Sequence, residues 1–333
     1  MSLLLAADVG GTKTDLAVYD PGQGLSRPVT EATLASRDYR SFSLLLRAFL
    51  DKNRLGIERA CFGVAGPVLN NRVKLTNLPW EIDGSDIGRE FAINRVDIIN
   101  DLVAVASSIP HLAADDLLPL GEGKPRQEGA IGVVAPGTGL GIAFCVRDDG
   151  AYHVCPSEGG HAGFSPGNAQ EMALLGFLLD QGISPSFEAL CSGSGLPNIY
   201  RFLIAGGGFT EPERLAIELA RSADPTPVIV QWALHPGKAC DVCRETLRIF
   251  VRILAEVCGN LAVTVLATGG IYLGGGMPAK ILPFLREADF LARFRQKGKM
   301  STLLGDIPVY VIKNPKAALI GAAAYGLKAH AHN

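Results

Sequence analysis

The sequence of 333 residues has no run of basic side chains and no long uninterrupted apolar segment, and its aromatic content is only 7%. Lysines and arginines number 31 against 33 acidic residues, a balance that argues against nucleic acid or a membrane surface as the main partner. The most apolar stretch, LAVTVLATGGIYLGGGM, is broken by too many glycines to span a membrane. The N-terminal MSLLLAAD carries no basic residue and its apolar run stops at Asp8, so it reads as a buried strand rather than a signal peptide. Cysteine is sparse: Cys61, Cys145, Cys155, Cys191, Cys240, Cys243 and Cys258 are scattered, and only Cys240 and Cys243 form a CxxC. No second Cys or His pair lies close enough to complete a zinc site, which leaves buried helical thiols in a reducing, cytoplasmic setting.

What the chain does have is apolar bulk. A hydrophobic fraction of 48% with 19% charged residues suits a packed protein and argues against disorder. At ~150 residues per domain its length suggests about two domains.

The stretch AADVGGTKTDLAVYD, Ala6 to Asp20, reads as strand, glycine turn, strand. A dinucleotide fold or a P-loop needs a helix directly after its glycines, and no GxxxxGK[ST] is present, so both are excluded. The same shape returns in GAIGVVAPGTGLGIAFCV, Gly129 to Val146, which suggests an internal duplication. Between the hairpins, Phe42, Leu45, Leu46, Phe49 and Leu50 are spaced for one face of a helix; strands RACFGVAG and VDIIN follow, then a helix from Asp101 to about Ser108. GEGKPRQEG, Gly121 to Gly129, reads as a surface loop near a domain junction. Farther on, AQEMALLGFLLDQ and Asp241 to about Thr264 have helical period, ATGGIYLGGGMPAKIL reads as a short strand, a triple glycine and a helix start, and NPKAALIGAAAYGLKAH reads as an alanine-rich helix. Hairpins, crossover helices and two similar halves predict an α/β protein with a cleft between two lobes.

Phosphate turns need backbone N–H groups that can closely approach oxygen, which favours glycine. Gly10, Gly11 and Thr12 in one hairpin, and Gly137, Thr138 and Gly139 in the other, supply such groups. One such hairpin is ordinary turn chemistry; two offer a cradle for a phosphate chain. Asp8 beside the first turn has the chemistry to hold Mg²⁺ through water, whereas Lys13 fits an ordinary solvated lysine equally well. Asn100 and Asp101, at the end of a strand and the start of a helix, fit two roles: a helix cap, or a proton acceptor at the strand ends where ligands of α/β sheets gather. Glu158 and His161 in SEGGHAGF, and Glu188 in FEALCSGSGL, sit in glycine-rich loops. Carboxylates and an imidazole so placed suit a polyol, with a His–Glu catalytic pair, a metal site and solvated loop residues as the rival readings.

In order along nearly the whole chain, DVGGTKTDLAVYD, FGVAGPV, KLTNLPW, IINDLVAVA, APGTGLG, SEGGHAGF, EALCSGSGL, GGIYLGGGMP and DIPVYVI resemble the bacterial glucokinase family. That resemblance implies the hexokinase/actin-like, ribonuclease H-like ATPase fold: a small α/β domain of residues 1–111 plus about 313–333, a large α/β domain of residues 112–312, and a cleft between them. It implies that ATP phosphorylates the 6-hydroxyl of glucose at the entry to glycolysis, with Mg²⁺, in a cytoplasmic homodimer. Asp101 is then the catalytic base; Asn100, Asp101, Glu158, His161 and Glu188 contact the sugar; Asp8 serves Mg²⁺; Gly10 to Thr12 and Gly137 to Gly139 are the phosphate turns; and Gly274, Gly275 and Gly276 pass the adenosine. A related branch of repressors and kinases carries a cysteine-rich zinc motif after its Gly-His. Here His161 is followed by AGFSPGNAQEM, so the chain resembles the zinc-free branch and no structural metal is expected. Starting at the first strand, it is also expected to lack a DNA-binding helix-turn-helix. Kinases of another hexose or an amino sugar remain as alternatives, as does an actin-like ATPase or sugar-binding regulator that uses ATP as a switch.

Overall fold

The computed structural model describes residues 3–328, apart from Ser26, Thr76 and Ala239. Its first sheet is built from β1 (Leu3–Val9), β2 (Lys13–Tyr19), β3 (Thr30–Ala35) and β4 (Ile57–Val64); a short ribbon of β5 (Arg72–Lys74) and β6 (Glu81–Asp83) precedes its last strand, β7 (Arg95–Asn100). The spatial order is β3-β2-β1-β4-β7. β1 to β3 are antiparallel neighbours, whereas β1, β4 and β7 are parallel. Parallel neighbours need a crossover. The helix Phe42–Asn53 supplies the first, entered through the Ser41 hydroxyl, which accepts from the Leu44 N–H at 3.3 Å.

Alternation along β1 sends its side chains to two cores. Leu5, Ala7 and Val9 pack with Phe42, Leu45, Leu46 and Phe49. Leu4 and Ala6 face the opposite core, with Val103, Ala104, Leu319 and Ala322. The last two come from the C-terminal helix Ala317–Lys328, whose small residues allow a close approach to the helix Asp101–Ser108. Gly321 is required there, because a Cβ would overlap the Ala104 carbonyl oxygen.

The second sheet contains β8 (Leu117–Pro119), β9 (Ile131–Pro136), β10 (Leu140–Asp148), β11 (Ala151–Ser157), β12 (Gly270–Leu273) and β13 (Val309–Ile312), in the order β11-β10-β9-β12-β13-β8. β9 and β10 form an antiparallel hairpin, and β9, β12 and β13 are parallel neighbours. The order around β9 therefore repeats the order around β1, as the duplicated hairpin predicts. A third core surrounds the helix Asp241–Thr264, whose Leu247, Phe250, Leu254 and Cys258 are fully buried. Each such leucine or phenylalanine contributes about 1.5–3 kcal/mol relative to exposure.

The chain divides into two compact units: Met1–Leu117 with Gly150–Pro156 and Asn314–Asn333, and Leu118–Asp149 with Ser157–Lys313. Among the described residues no helix is long and apolar enough to cross a membrane. Cys240 and Cys243 are both buried free thiols, Cys240 as the cap of the long helix and Cys243 within it.

Candidate active site

In the first unit the turn after β1 is closed by the Gly10 N–H donating to the Lys13 carbonyl at 3.0 Å. Ser36, just beyond β3, braces it from behind: its hydroxyl donates to the Gly10 carbonyl at 2.7 Å and its N–H to the Thr12 carbonyl at 3.0 Å. Thr12 itself is exposed and Gly10 and Gly11 are half-buried, which leaves the outer edge of the turn open to a ligand. Asp8 leads into the turn from β1 and pairs in register with Asp15 on β2.

Two further carboxylates, Asp101 and Asp15, neighbour Asp8. Burial and the neighbouring charges of Asp101 and Asp15 push the Asp8 carboxyl up to about 6, against a smaller opposing pull from Lys13. Asp15, only 5% exposed, is satisfied by the Thr33 hydroxyl at 2.5 Å and the Lys13 ammonium at 2.7 Å. Asp101 is the first residue of the helix Asp101–Ser108. Burial raises its pKa, opposed by hydrogen bonding from the backbone and the Asn100 side chain.

Asn100 fills the capping role weighed for it. Its Oδ1 accepts from the Leu102 N–H at 2.9 Å, while its Nδ2 donates to the Gly66 carbonyl at 3.1 Å. Asp101 Oδ1 also accepts from the Leu102 N–H at 2.9 Å, which orients the carboxylate at the helix start. Cap and carboxylate are thus adjacent residues with separate tasks.

The second unit holds the other candidates. The turn after β9 is closed by the Gly137 N–H donating to the Gly139 carbonyl at 2.8 Å, with Gly137 and Thr138 exposed. Glu158 and His161 stand at either end of the short 3-10 turn Gly159–His161, and both side chains are open to solvent, at 87% and 63% exposure. His161 lies between two carboxylates: Nε2 is 3.9 Å from Glu158 and Nδ1 is 3.7 Å from Glu188. An imidazole flanked in this way offers donors and acceptors to an array of hydroxyls. Among the described residues no group of three or more His, Cys, Asp or Glu side chains is placed to hold a metal ion.

The triple glycine sits at the end of β12, where the Gly274 N–H donates to the Val134 carbonyl at 2.9 Å and Gly275 precedes the short helix Gly276–Lys280. Gly276 shares a cavity of about 370 Å³ with Gly137 and Thr138. Pattern reading missed the cavity's remaining polar wall, which includes Ser194, Asp224, Thr226 and Lys280. Thr226 donates its hydroxyl to the Gly193 carbonyl, and Asp224 caps the helix Pro225–Leu234 by accepting from the Thr226 N–H at 3.0 Å. The one sequence signal for this wall was the glycine-rich turn CSGSG. A size in the range of small-ligand pockets, an exposed glycine turn and one lysine suit a phosphorylated ligand.

Comparison with known proteins identifies the family. The family model described as Glucokinase matches residues 5–329. A glucokinase of Nostoc punctiforme is 40% identical, over 97% of this chain and 98% of its own. The crystal structure of a glucokinase from an Antarctic psychrotroph superposes with a TM-score of 0.84 at 30% identity, covering 98% of this chain and 99% of that one. A ROK family glucokinase from Streptomyces griseus, solved with glucose and AMPPNP, shares the fold at a TM-score of 0.63 and 20% identity, covering 98% of this chain and 100% of that one. The fold is that of the actin-like ATPases.

Proposed function

The chain belongs to the glucokinase family and is a kinase that phosphorylates glucose from ATP, and we propose how its residues divide that task. Asp101 is the general base. One observation carries this: a part-buried carboxylate at a helix start, with its pKa raised, in the same unit as the Gly10 to Thr12 turn and electrostatically coupled to Asp8. Asp101 takes the proton of the sugar 6-hydroxyl as that oxygen forms its bond to the γ-phosphorus. The bond from the γ-phosphorus to the β,γ-bridging oxygen breaks, and ADP leaves with its electron pair.

Asn100, Asp101, Glu158, His161 and Glu188 read the sugar hydroxyls. A site built from such partners rejects a sugar lacking one hydroxyl by up to ~10⁴–10⁵-fold, because its own polar groups would be left unpaired. The turns Gly10, Gly11, Thr12 and Gly137, Thr138, Gly139 cradle the phosphates, Gly10 and Gly137 by closing them with their own N–H groups and the others by donating to the ligand, and Gly274 to Gly276 pass the adenosine. The cavity of about 370 Å³ that joins Gly137, Thr138 and Gly276 supports this reading.

Asp8 is the residue that would hold Mg²⁺. A single carboxylate, completed by phosphate oxygens and water, suits that ion, and the crowding of Asp8 by Asp15 and Asp101 favours a cation there. When bound, Mg²⁺ spreads the charge that develops on the transferring phosphoryl group.

The small domain is proposed as residues 1–111 plus about 313–333 and the large domain as residues 112–312, a reading supported by the division into two compact units except at residues 112–117 and Gly150–Pro156, which fall in the first unit. The seven free cysteines support a reducing, cytoplasmic setting, with glycolysis as the pathway. A homodimer, expected from the family, is checked by sedimentation. The enzyme test mixes protein, Mg-ATP and a hexose panel and follows ADP. ADP formed with glucose supports the reading; ADP formed equally without sugar would convert it into a nucleotide switch, and preference for another hexose would move the substrate.

A further inference from the structure

Glu188 does more than face the sugar loop. Its two carboxylate oxygens point to different partners: Oε1 lies 3.7 Å from His161 Nδ1, while Oε2 accepts from the Leu140 N–H at 2.9 Å, directly after the Gly137 to Gly139 turn. The backbone around Glu188 makes the same two-sided connection. On the sugar-loop side, the Phe187 N–H donates to the Ala162 carbonyl at 3.0 Å and the Glu188 N–H to the Gly160 carbonyl at 2.9 Å. On the turn side, the Gly193 N–H donates to the Gly137 carbonyl at 2.7 Å, and the Ser194 N–H and hydroxyl donate to the Thr138 carbonyl at 3.2 and 3.0 Å. The Ser192 hydroxyl, donating to the Glu188 carbonyl at 2.7 Å, ties the two ends of the segment together.

We propose that Glu188 is a positioning residue that couples the sugar loop to the phosphate turn, so that each ligand's affinity depends on the other's side of the same carboxylate. The proposal rests on the reading of Glu188 as a sugar contact and of Gly137 to Gly139 as a phosphate turn. A residue held to the sugar loop by its N–H and to the turn by its carboxylate cannot satisfy a moved turn and an unmoved sugar loop at once. A ligand that seats either partner therefore biases the position of the other, and by linkage the effect is reciprocal.

Gly139 offers access to the link from the turn side. A Cβ at this position would come within 2.6 Å of Glu188 Oε2. The obstructed atom is the far end of a flexible side chain, so Gly139→Ala displaces the carboxylate while the hairpin persists.

The test measures glucose binding without nucleotide, and Mg-AMPPNP binding without sugar, by calorimetry on the full chain and three variants. Gly139→Ala is expected to weaken sugar binding about tenfold in the absence of any nucleotide, the scale for losing one charge-assisted hydrogen bond. Glu188→Ala is expected to weaken Mg-AMPPNP about tenfold in the absence of sugar. Glu188→Gln keeps an oxygen for the Leu140 N–H, so it restores sugar-free nucleotide binding while glucose binding stays weak. If Gly139→Ala alters only nucleotide binding and Glu188→Ala only glucose binding, the coupling is overturned and the sugar contact stands. If Glu188→Ala leaves glucose binding unchanged, the sugar contact itself is wrong, and the coupling falls with it.

Discussion

The two hairpin turns share a backbone solution and differ in what surrounds it. The turn at Gly10 to Thr12 is braced by a hydroxyl, Ser36, and led into by Asp8, which Asp15 and Asp101 neighbour. The turn at Gly137 to Gly139 is braced by a carboxylate, Glu188, and by backbone straps from Gly193 and Ser194. Duplication supplies the same set of N–H groups twice; the side chains behind them assign different work. Buried carboxylates such as Asp8 and Asp101, whose pKa is raised, suit proton and cation chemistry, whereas a glutamate already engaged by a backbone N–H suits recognition and coupling.

The largest effect expected from breaking this contrast is at Asp101. Asp101→Asn should lower kcat by ~10²–10⁴, the range for a positioned general base, with glucose affinity largely retained. Near wild-type turnover would return Asp101 to a purely structural role. In the wild type, the acid limb of kcat should lie above the ordinary aspartate range, because burial raises the Asp101 pKa and the base works only when deprotonated. A rate that stays flat down to pH 4 would contradict that assignment.

Next in size is the packing that supports Asp101. Gly321→Ala drives a methyl group against the Ala104 carbonyl in the helix that Asp101 begins, and should cost about 3 kcal/mol or more, read as a lowered Tm. An unchanged Tm would mean that the two helices separate without penalty.

Asp8 should respond in the opposite direction. Its carboxyl is raised from 3.8 to about 6, so its contribution to stability is present below pH 3.8 and is lost as pH rises through 6. Asp8→Asn should therefore stabilise the ligand-free protein at pH 8 by roughly 1–3 kcal/mol, with little difference at pH 4. Equal melting temperatures at both pH values would show that the native carboxylate carries no penalty.

The smallest effect is at the brace. Ser36→Ala removes the hydrogen bond to the Gly10 carbonyl and should cost about 1 kcal/mol in stability. It should also raise the KM for ATP by a few-fold, a change visible in initial rates. A KM change at glucose instead would assign the first turn to the sugar.

Local pattern determined a good deal of this protein. Apolar runs on either side of DVGGTKT and PGTG specify two hairpins, and helical spacing specifies Phe42–Asn53 and Asp241–Thr264, because side-chain pattern and turn chemistry act over a few residues. The candidate residues could be named by type and position for the same reason. What they do to one another could not be read. The strand β3 was not predicted, although its end supplies Ser36, and the cavity wall at Asp224, Thr226 and Lys280 carries no local signature. That Asn100 caps its helix became visible only with the Leu102 N–H against its Oδ1. Asp8 differs from an ordinary aspartate only because folding buries it beside Asp15 and Asp101. Glu188 meets the Leu140 N–H across 48 residues of sequence. Desolvation, Coulombic neighbours and long-range hydrogen bonds depend on distances that no spacing along the chain encodes, so the tertiary structure alone decided them.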